Sequence, residues 1–476
     1  MKQIAVIGST SGTRKMLFLS MAAALVQTAV VVAGGRCDWS MQADTTKPAQ
    51  DETSQHGFWA HVKDLRLGPL TFALSGQLRL RYESYDDLTL KGFEPGGYDQ
   101  LLLERFRLEL TARFWDKPRV FLQLQDSHPF LTKFNDSDFP KSSPIENTLD
   151  VRQLYVEWLR IGESPFGFRL GRQQISYGDQ RVFGPGNWGN TGRFAWDAAV
   201  FKIEVDQFWM DLWVGKFLQY KTTIWPDRPV TDFLTFVTYT GIKNLPFGLD
   251  LFYVNTCDNR AVITSETGTG NIRSHSLGIQ TAWQGRNDMD GGATLVAQFG
   301  RYGGDRLHAF GANAKWGVTI RAPWKPRLGV QFTHGSGDRN PADGVHETFD
   351  GVFGGRDIQF YGYLNLFFWA NLRDYEVDCS VLPHPNMTVH LEYHHFTLDR
   401  ERDAWYTTGL APYRRDRTGQ SGLSLGDELD VRATWNLQDH LELMGGYGSF
   451  FPGFFVSHTG LMATAHWYFV QAAYTW

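Results

Sequence analysis

The chain has 476 residues, of which 15% are aromatic and 49 are glycine, and its formal net charge is −5. Its mean hydropathy is only −0.32, although apolar residues recur at regular spacing along nearly the whole sequence. After residue 33 there is no uninterrupted apolar run of the roughly 18 residues that a membrane-spanning helix needs. This composition excludes a helical membrane protein after residue 33, argues against a nucleic-acid-binding protein, and is typical of a barrel with a wet interior and a lipid-facing exterior.

The N-terminus has the pattern of a secretory signal peptide. Arg14 and Lys15 precede an apolar run over residues 16–33, which is followed by Gly34 and Gly35. A retained anchoring helix is the alternative interpretation. We expect residues 1–36 to be the signal peptide, 37–70 a periplasmic segment and 71–476 an outer-membrane barrel. Residues 1–36 carry four basic residues and no acids, so their removal lowers the formal net charge from −5 to −9.

Alternating apolar and polar residues recur along the remaining chain, in segments near the 9–11 residues that cross a bilayer at a tilt. In the first segment Leu78 and Leu80 share one face while Arg79 and Arg81 share the other. The phase of 166–175, 194–205 and 208–218 is unclear. The candidate strands lie near residues 72–86, 101–114, 118–126, 149–160, 166–175, 194–205, 208–218, 232–242, 247–257, 272–284, 290–301, 307–319, 326–335, 365–382, 386–398, 427–437, 441–451 and 461–476.

The connections between these candidates are alternately long and short, as in the links 127–148 and 161–165. Short periplasmic turns and long extracellular loops are typical of outer-membrane barrels, and an even strand number leaves no unpaired edge in lipid. The last segment ends on Trp476, a terminal aromatic of the kind that the outer-membrane assembly machinery reads. The sequence therefore predicts an all-β, antiparallel transmembrane barrel of 18 strands in the bacterial outer membrane, with lipid and that machinery as partners.

Three segments resemble the alginate-export family of outer-membrane barrels: LGRQQISYGDQRVFGPGNWGNTGRFAWDAAVFKI (170–203), SGDRNPADGVHETFDGVF (336–353) and GDELDVRATWNLQDHLELMGGYGSFFPG (426–453). The resemblance extends over about residues 70–476. It implies an eighteen-stranded monomeric barrel with a charged lumen that passes an anionic polysaccharide outward. From the first segment it also implies that Arg172, Arg181 and Arg193 are lumen or loop residues.

A cluster of arginines on the lumen phase of the first two strands is the main candidate binding site. Same-face residues lie about 6.6 Å apart along a strand and neighbouring strands about 4.8 Å apart, so these guanidinium groups would share one patch. Guanidinium groups stay charged and bind carboxylates bidentately, which suits an anionic solute. Pairing with wall acids such as Glu83 and Glu109 is the alternative. The candidate residues are Arg79, Arg81, Arg105, Arg107 and Arg113.

Acidic residues gather on a different group of strands, where we expect them to line the pore opposite the arginines and to create a transverse field. The predicted pore-lining residues of this second wall are Asp374, Glu376, Glu392, Glu428 and Asp430, with Arg432 on the same face. We expect no cofactor and no metal, because Cys37, Cys257 and Cys379 show no metal-ligand spacing.

These patterns favour an anion-preferring outer-membrane conduit that exports an acidic polysaccharide such as alginate. A porin that takes up small acidic solutes and a structural or adhesive surface barrel are the alternatives. An enzyme is not expected. His334, Ser336 and Asp338 are close in sequence, but catalytic triads gather from distant segments. His394 and His395 are adjacent on a strand and therefore point to opposite faces.

Overall fold

The computed structural model describes residues 65–115, 118–139, 142–285, 287–354 and 358–476. The predicted signal peptide and most of the predicted periplasmic segment lie outside these residues. From the end of that segment, the short strand Leu65–Leu67 pairs with the residues that follow it, Leu65 opposite Phe72. No helix within the described ranges is long and apolar enough to cross a membrane.

Eighteen antiparallel strands form the wall of a closed barrel, which confirms the predicted fold class and strand number. Each predicted strand segment overlaps one of them. The strands are β1 (Leu70–Thr89), β2 (Gly92–Phe114), β3 (Pro118–Phe130), β4 (Asn147–Trp158), β5 (Phe166–Gln173), β6 (Trp196–Glu204), β7 (Phe208–Gln219), β8 (Phe233–Ile242), β9 (Gly248–Thr264), β10 (Thr269–Gln284), β11 (Met289–Tyr302), β12 (Asp305–Thr319), β13 (Arg327–Gly335), β14 (Leu372–His384), β15 (Met387–Leu398), β16 (Ser424–Gln438), β17 (Leu441–Pro452) and β18 (Ala465–Thr475).

The barrel closes where β1 pairs with β18, from Gln77 opposite Thr475 to Asp86 opposite His466. Beyond this ladder the amide of Gly76 donates to the carbonyl of Trp476 at 3.3 Å, and the amide of Trp476 returns the bond at 3.1 Å. The ladder thus continues to the last residue of the chain, and β1 and β18 leave no open sheet edge in the wall.

The alternation of residue types in β1 corresponds to the two faces of the wall. Leu78 and Leu80 point outward and are 39% and 44% exposed, whereas Arg79 and Arg81 point inward and are 3% and 2% exposed. Because the pleat turns successive side chains to opposite faces, this alternation gives an apolar outside and a charged inside.

The two ends of the barrel differ in the length of their connections. One end has short connections after β2 and after β10 and the short turns 159–165, 205–207, 243–247, 320–326, 385–386 and 439–440. At the other end, long connections join β3 to β4, β5 to β6, β7 to β8, β13 to β14, β15 to β16 and β17 to β18. The last of these loops contains the helix α1 (Phe454–Thr459). Three connections at the long-loop end, 90–91, 265–268 and 303–304, are as short as the turns at the other end, so the predicted alternation is present only in part.

Three predicted boundaries differ from the structure. Residues 87–100, predicted as a loop, are mostly strand, because β1 and β2 continue to a tight turn at Leu90 and Lys91. Residues 258–271, also predicted as a loop, are mostly strand as well, because β9 continues to Thr264 and β10 begins at Thr269. Residues 365–371, predicted as the start of the fourteenth strand, belong instead to the loop that precedes β14.

The orientation of β2 predicts where a charge is tolerated. Leu108 lies on the outward face, opposite Gly76 and Leu124, and Thr111 lies on the inward face. An arginine on the lipid face costs about 2–4 kcal/mol near mid-bilayer, so we expect Leu108→Arg to block assembly and Thr111→Arg to assemble normally. Heat-dependent mobility of the folded barrel on gels measures this. Equal yields of folded barrel from both variants would contradict the assigned faces.

The two ends of the barrel also predict which tags are accessible on cells. Ala342 and Asp343 lie at an exposed tip at the long-loop end, and Gln438 and Asp439 lie at an equally exposed turn at the other end. If the long loops are extracellular, an epitope inserted after Ala342 should bind antibody on intact cells, whereas one inserted after Gln438 should bind only after permeabilisation. Labelling of intact cells at Gln438 alone would invert the orientation.

Candidate functional site

Two of the long loops fold into the barrel, and we name them the first lumen loop (174–195) and the second lumen loop (336–371). They bond to each other inside the wall: the amide of Gly184 donates to the carbonyl of Phe353, and the amide of Phe353 donates to the carbonyl of Val182, both at 3.2 Å. The first lumen loop also reaches β10 and β12 through Asp179, which accepts from Gln280 at 2.8 Å and from Lys315 at 3.2 Å. The two loops therefore form one connected layer across the lumen.

An aromatic core fixes this layer to the wall. The ring of Phe353 lies 4.8 Å from that of Trp196 on β6. The ring of Phe183 lies 6.2 Å from that of Trp213 on β7 and 5.9 Å from that of Tyr239 on β8. All five side chains are buried. Burial of such large rings is strongly favourable, so the lumen here contains an apolar core rather than water.

The predicted arginine wall holds the first lumen loop. Arg79 donates to the carbonyls of Asn187 and Trp188, each at 3.2 Å. Arg105 donates to the Asn187 carbonyl at 2.9 Å, and Arg81 donates to the Trp188 carbonyl at 2.8 Å. The guanidinium of Arg81 also lies 4.0 Å from the centre of the Trp188 ring. Three guanidinium groups thus converge on the carbonyl oxygens at one bend of the loop.

Two further arginines extend this wall. Arg107 donates to the Gln125 side chain at 2.7 Å and reaches the Asn187 side-chain oxygen at 3.5 Å. Arg152, which sequence analysis missed, bonds to the hydroxyl of Tyr220 and lies 3.5 Å from the Pro185 carbonyl. A β-bulge in β4 turns both Arg152 and Gln153 inward, which breaks the alternation that identifies lumen residues in the sequence.

The acidic wall holds the second lumen loop through the opposite kind of bond. Asp430 accepts the amide of Tyr363 at 3.1 Å, and Glu428 accepts the amide of Leu364 at 2.9 Å. Glu392 accepts the hydroxyl of Tyr363 at 2.9 Å. Burial and the Glu392 carboxylate raise the pKa of the Tyr363 hydroxyl, which keeps it protonated as a donor. The basic wall therefore binds loop carbonyls, and the acidic wall binds loop amides.

The remaining predicted residues of the acidic wall also point inward. The Asp374 carboxylate lies 3.0 Å from Nδ1 of His394 on the neighbouring strand, and both side chains are buried. Glu376 accepts from the side chain of Gln331. The guanidinium of Arg432 lies 5.3 Å from the centre of the Tyr363 ring. These side chains surround the part of the second lumen loop that Glu428 and Asp430 hold.

The other predicted basic residues lie apart from the arginine wall. Arg113 is exposed close to the short-turn end of β2. Arg193 lies within the first lumen loop, 5.0 Å from the Phe194 ring. Arg181 is buried in the same loop and donates to the Gln331 side chain at 3.0 Å.

Arg172 is a correction to the sequence prediction. It is not a lumen residue: its cross-strand partners Leu154 and Asp197 lie on the outward face, and Leu154 is 47% exposed. The Arg172 guanidinium pairs with the Asp197 carboxylate at 2.9 Å close to the long-loop end. The residues 166–175 show no clear alternation, so their sequence pattern gives no sign of this orientation.

The residues of the HGSGD segment have separate partners. Nε2 of His334 lies 3.0 Å from Asp399, and the hydroxyl of Ser336 donates to the carbonyl of Glu347 at 2.6 Å. Asp338 accepts the amide of Asn340 at 3.1 Å. The histidine and the serine therefore serve loop structure rather than a shared nucleophilic site.

A pocket opens between the lumen loops and the rim at the long-loop end. Its cavity volume is about 150 Å³, which is smaller than the roughly 300–1,000 Å³ of small-ligand sites. The cations Arg81 and Lys91 line it together with aromatic side chains and with Glu83, whose carboxylate pairs with Arg81 at 2.6 Å. Those aromatic residues are Tyr85, Phe93, Trp188, Tyr363, Trp405, Tyr413 and Trp467. Flat apolar faces beside cationic groups suit a sugar ring that carries a carboxylate.

Comparison with known proteins agrees with this architecture. The sequence model described as alginate export matches residues 69–470. No curated protein sequence matches the chain. Among solved structures, OccK5 (OpdH) of Pseudomonas aeruginosa is 12% identical, with a TM-score of 0.55 over 85% of this chain and 97% of that one. OccK2 (OpdF) of the same organism, in complex with glucuronate, is 12% identical, with a TM-score of 0.56 and the same coverage. OccD3 (OpdP) is 9% identical, with a TM-score of 0.55 over 85% of this chain and 91% of that one.

The bonds to the first lumen loop predict an effect on conductance. Hydrogen bonds to charged groups are each worth about 1.5–3 kcal/mol, so Arg79→Gln with Arg105→Gln should weaken the loop's attachment. We expect larger or more frequent open events in single-channel recordings. Arg113→Gln is the matched control, because it removes a guanidinium from the same face of β2 near the other end. A double variant that conducts like the control would contradict the clamp.

Proposed function

Because the chain belongs to the alginate-export family and is an outer-membrane channel, we propose that its lumen conducts an acidic polysaccharide outward. The observation that carries this proposal is the inward-facing group Arg79, Arg81, Arg105 and Arg107, directly beside the aromatic pocket at the long-loop end. A uronate polymer carries one carboxylate on each sugar, and guanidinium groups bind carboxylates in bidentate geometry.

The present partners of these arginines support a route for the polymer. The guanidinium groups of Arg79 and Arg105 are bound to neutral carbonyl oxygens of the first lumen loop. Arg81 donates to the Trp188 carbonyl but also pairs with the Glu83 carboxylate at 2.6 Å. These bonds already have an ionised donor, which makes them roughly twice as strong as neutral ones, and a carboxylate adds an opposite charge and bidentate geometry. A uronate carboxylate would therefore compete with the Asn187 and Trp188 carbonyls for the same donors, and the loop would give way as the sugar enters.

The aromatic side chains of the pocket support a sugar rather than a small inorganic anion. Trp188 and Trp467 both line the pocket, and their rings lie 6.0 Å apart at an interplanar angle of 75°. Arg81 lies over the Trp188 ring. Ring faces of this kind would contact the C–H face of a sugar while the arginine contacts its carboxylate.

Uptake of small acidic solutes is the second candidate. One observation favours it: OccK2, a barrel of similar fold, has been crystallised in complex with glucuronate. Both candidates need the same arginines, and they differ in the length of the solute.

Reversal potential in planar bilayers tests the shared prediction. The acidic total charge favours cations, whereas the arginine group favours anions, and charges within about 8 Å dominate a pore at physiological salt. We therefore expect anion preference in the wild type, and a shift toward cations when Arg79, Arg81, Arg105 and Arg107 are replaced by Gln. Block by oligouronates should also weaken, and high salt should reduce both effects.

Solute length separates the two candidates in the same recordings. Increasing block from glucuronate to longer oligouronates would favour polymer transport, and equal block at all lengths would favour the uptake of small solutes. A wild-type pore that prefers cations and does not respond to the four substitutions would overturn both.

A further inference from the structure

The inward faces of β14, β15 and β16 bring acidic side chains into direct cross-strand register. Glu376 lies opposite His394, which lies opposite Glu428 on the next strand. In the adjacent row Glu392 lies opposite both Asp378 and Asp430. Carboxylates directly opposite each other on one face of a sheet repel when ionised. The arrangement therefore needs a source of positive charge.

Some of that charge comes from nearby arginines. Arg327 binds Asp378 at 2.6 Å but also binds Asp290 at 2.7 Å. Arg432, on the same strand as Asp430, lies over the Tyr363 ring. Within the described ranges, Asp374 and Glu392 form ion pairs with His394 alone on this wall.

Several buried polar atoms of this wall have no hydrogen-bond partner among the described residues. They are Oδ2 of Asp374, Nε2 of His394, Oε2 of Glu428 and Oδ1 of Asp430. The side chains of Asp374 and His394 are 0% and 1% exposed. Unsatisfied buried atoms of charged groups are costly and rare in native proteins. Four such atoms lie in one patch, and two of them belong to Asp374 and His394, which contact each other. This concentration indicates that a ligand binds there.

The positions of the donor atoms suit a metal ion. Asp374, Glu376 and His394 each offer a ligand atom, and these atoms lie within 4.8 Å of one another. Oε2 of Glu392 lies 3.9 Å from Nε2 of His394. Zinc lies about 2.0–2.2 Å from imidazole nitrogen and carboxylate oxygen, so small side-chain rotations would bring these atoms around one ion.

We propose that Asp374, Glu376 and His394 bind a divalent transition-metal ion such as Zn²⁺ or Mn²⁺, with Glu392 as a further ligand. The imidazole nitrogen in the ligand set favours these ions over Ca²⁺ and Mg²⁺, which prefer sites made only of oxygen. The ion neutralises the aligned carboxylates and joins β14 to β15. Through Glu392, which also accepts the Tyr363 hydroxyl, it braces the wall that holds the second lumen loop.

Metal content and affinity of the full barrel test this proposal. The protein is prepared without a histidine tag and with Cys257 and Cys379 replaced by Ser, because thiolates also bind zinc. After treatment with a chelator, it is titrated with ZnCl₂, MnCl₂ and CaCl₂ by calorimetry and analysed for bound metal. We expect one Zn²⁺ or Mn²⁺ per chain. In Asp374→Asn with Glu376→Gln, affinity should fall by at least the roughly 10–100-fold that loss of an outer-shell partner costs.

The pair His334 and Asp399 supplies a matched control, because it has the same 3.0 Å contact but faces Arg373 and Arg400 instead of further acids. Asp399→Asn should leave metal binding unchanged. If the double variant does not fold, the visible absorption of Co²⁺ bound to the wild-type barrel reports imidazole and carboxylate ligation directly. Absence of bound ion, tighter binding of Ca²⁺ than of Zn²⁺ and Mn²⁺, or equal affinity in the folded double variant would each overturn the proposal.

Discussion

The membrane requires that every backbone N–H and C=O group in the wall has a hydrogen-bond partner within the protein. The pairing of β1 with β18 meets this requirement, down to the reciprocal bonds between Gly76 and Trp476. Closure also fixes the phase of every strand, since a shift of one residue would turn arginines to lipid and leucines to the lumen. The charged interior and the two lumen loops are consequences of that closed, registered wall.

Inside the wall, the polarity of the side chains is matched to the polarity of the backbone that they hold. Arginines donate to the carbonyls of Asn187 and Trp188, and carboxylates accept the amides of Tyr363 and Leu364. A loop in a lumen has backbone groups without strand partners, and each buried one needs a bond. The basic wall supplies hydrogen-bond donors and the acidic wall supplies acceptors. The separation of basic from acidic residues therefore stabilises the lumen loops even without a solute.

The sequence predicted the eighteen strands because lipid and lumen impose different residue types on alternate positions. The sequence left the faces of a strand unassigned where the inward positions are themselves apolar. Trp196 and Trp213 face the rings of the lumen loops, so β6 and β7 have large apolar residues on both faces. The bulge beside Arg152 shifts the phase of β4. One feature of the sequence indicates that the second lumen loop folds into the barrel. This feature is the aromatic run 360–369, which is too apolar for an exposed loop. The acidic cluster with His394 joins two strands, and residue spacing along one strand cannot reveal such a set.

The arginine wall connects this resting architecture to the proposed transport. A buried guanidinium without an acceptor is costly, so the first lumen loop is not expected to leave Arg79 and Arg105 unless another acceptor replaces its carbonyls. In the proposed transport, a passing uronate would supply that acceptor, and it would do so as an anion. An exchange of acceptors keeps the guanidinium groups satisfied throughout, whereas a neutral sugar offers no equivalent compensation. The proposed preference for acidic solutes and the position of the loop would then depend on the same bonds, and selectivity would follow from the release of the loop as well as from attraction.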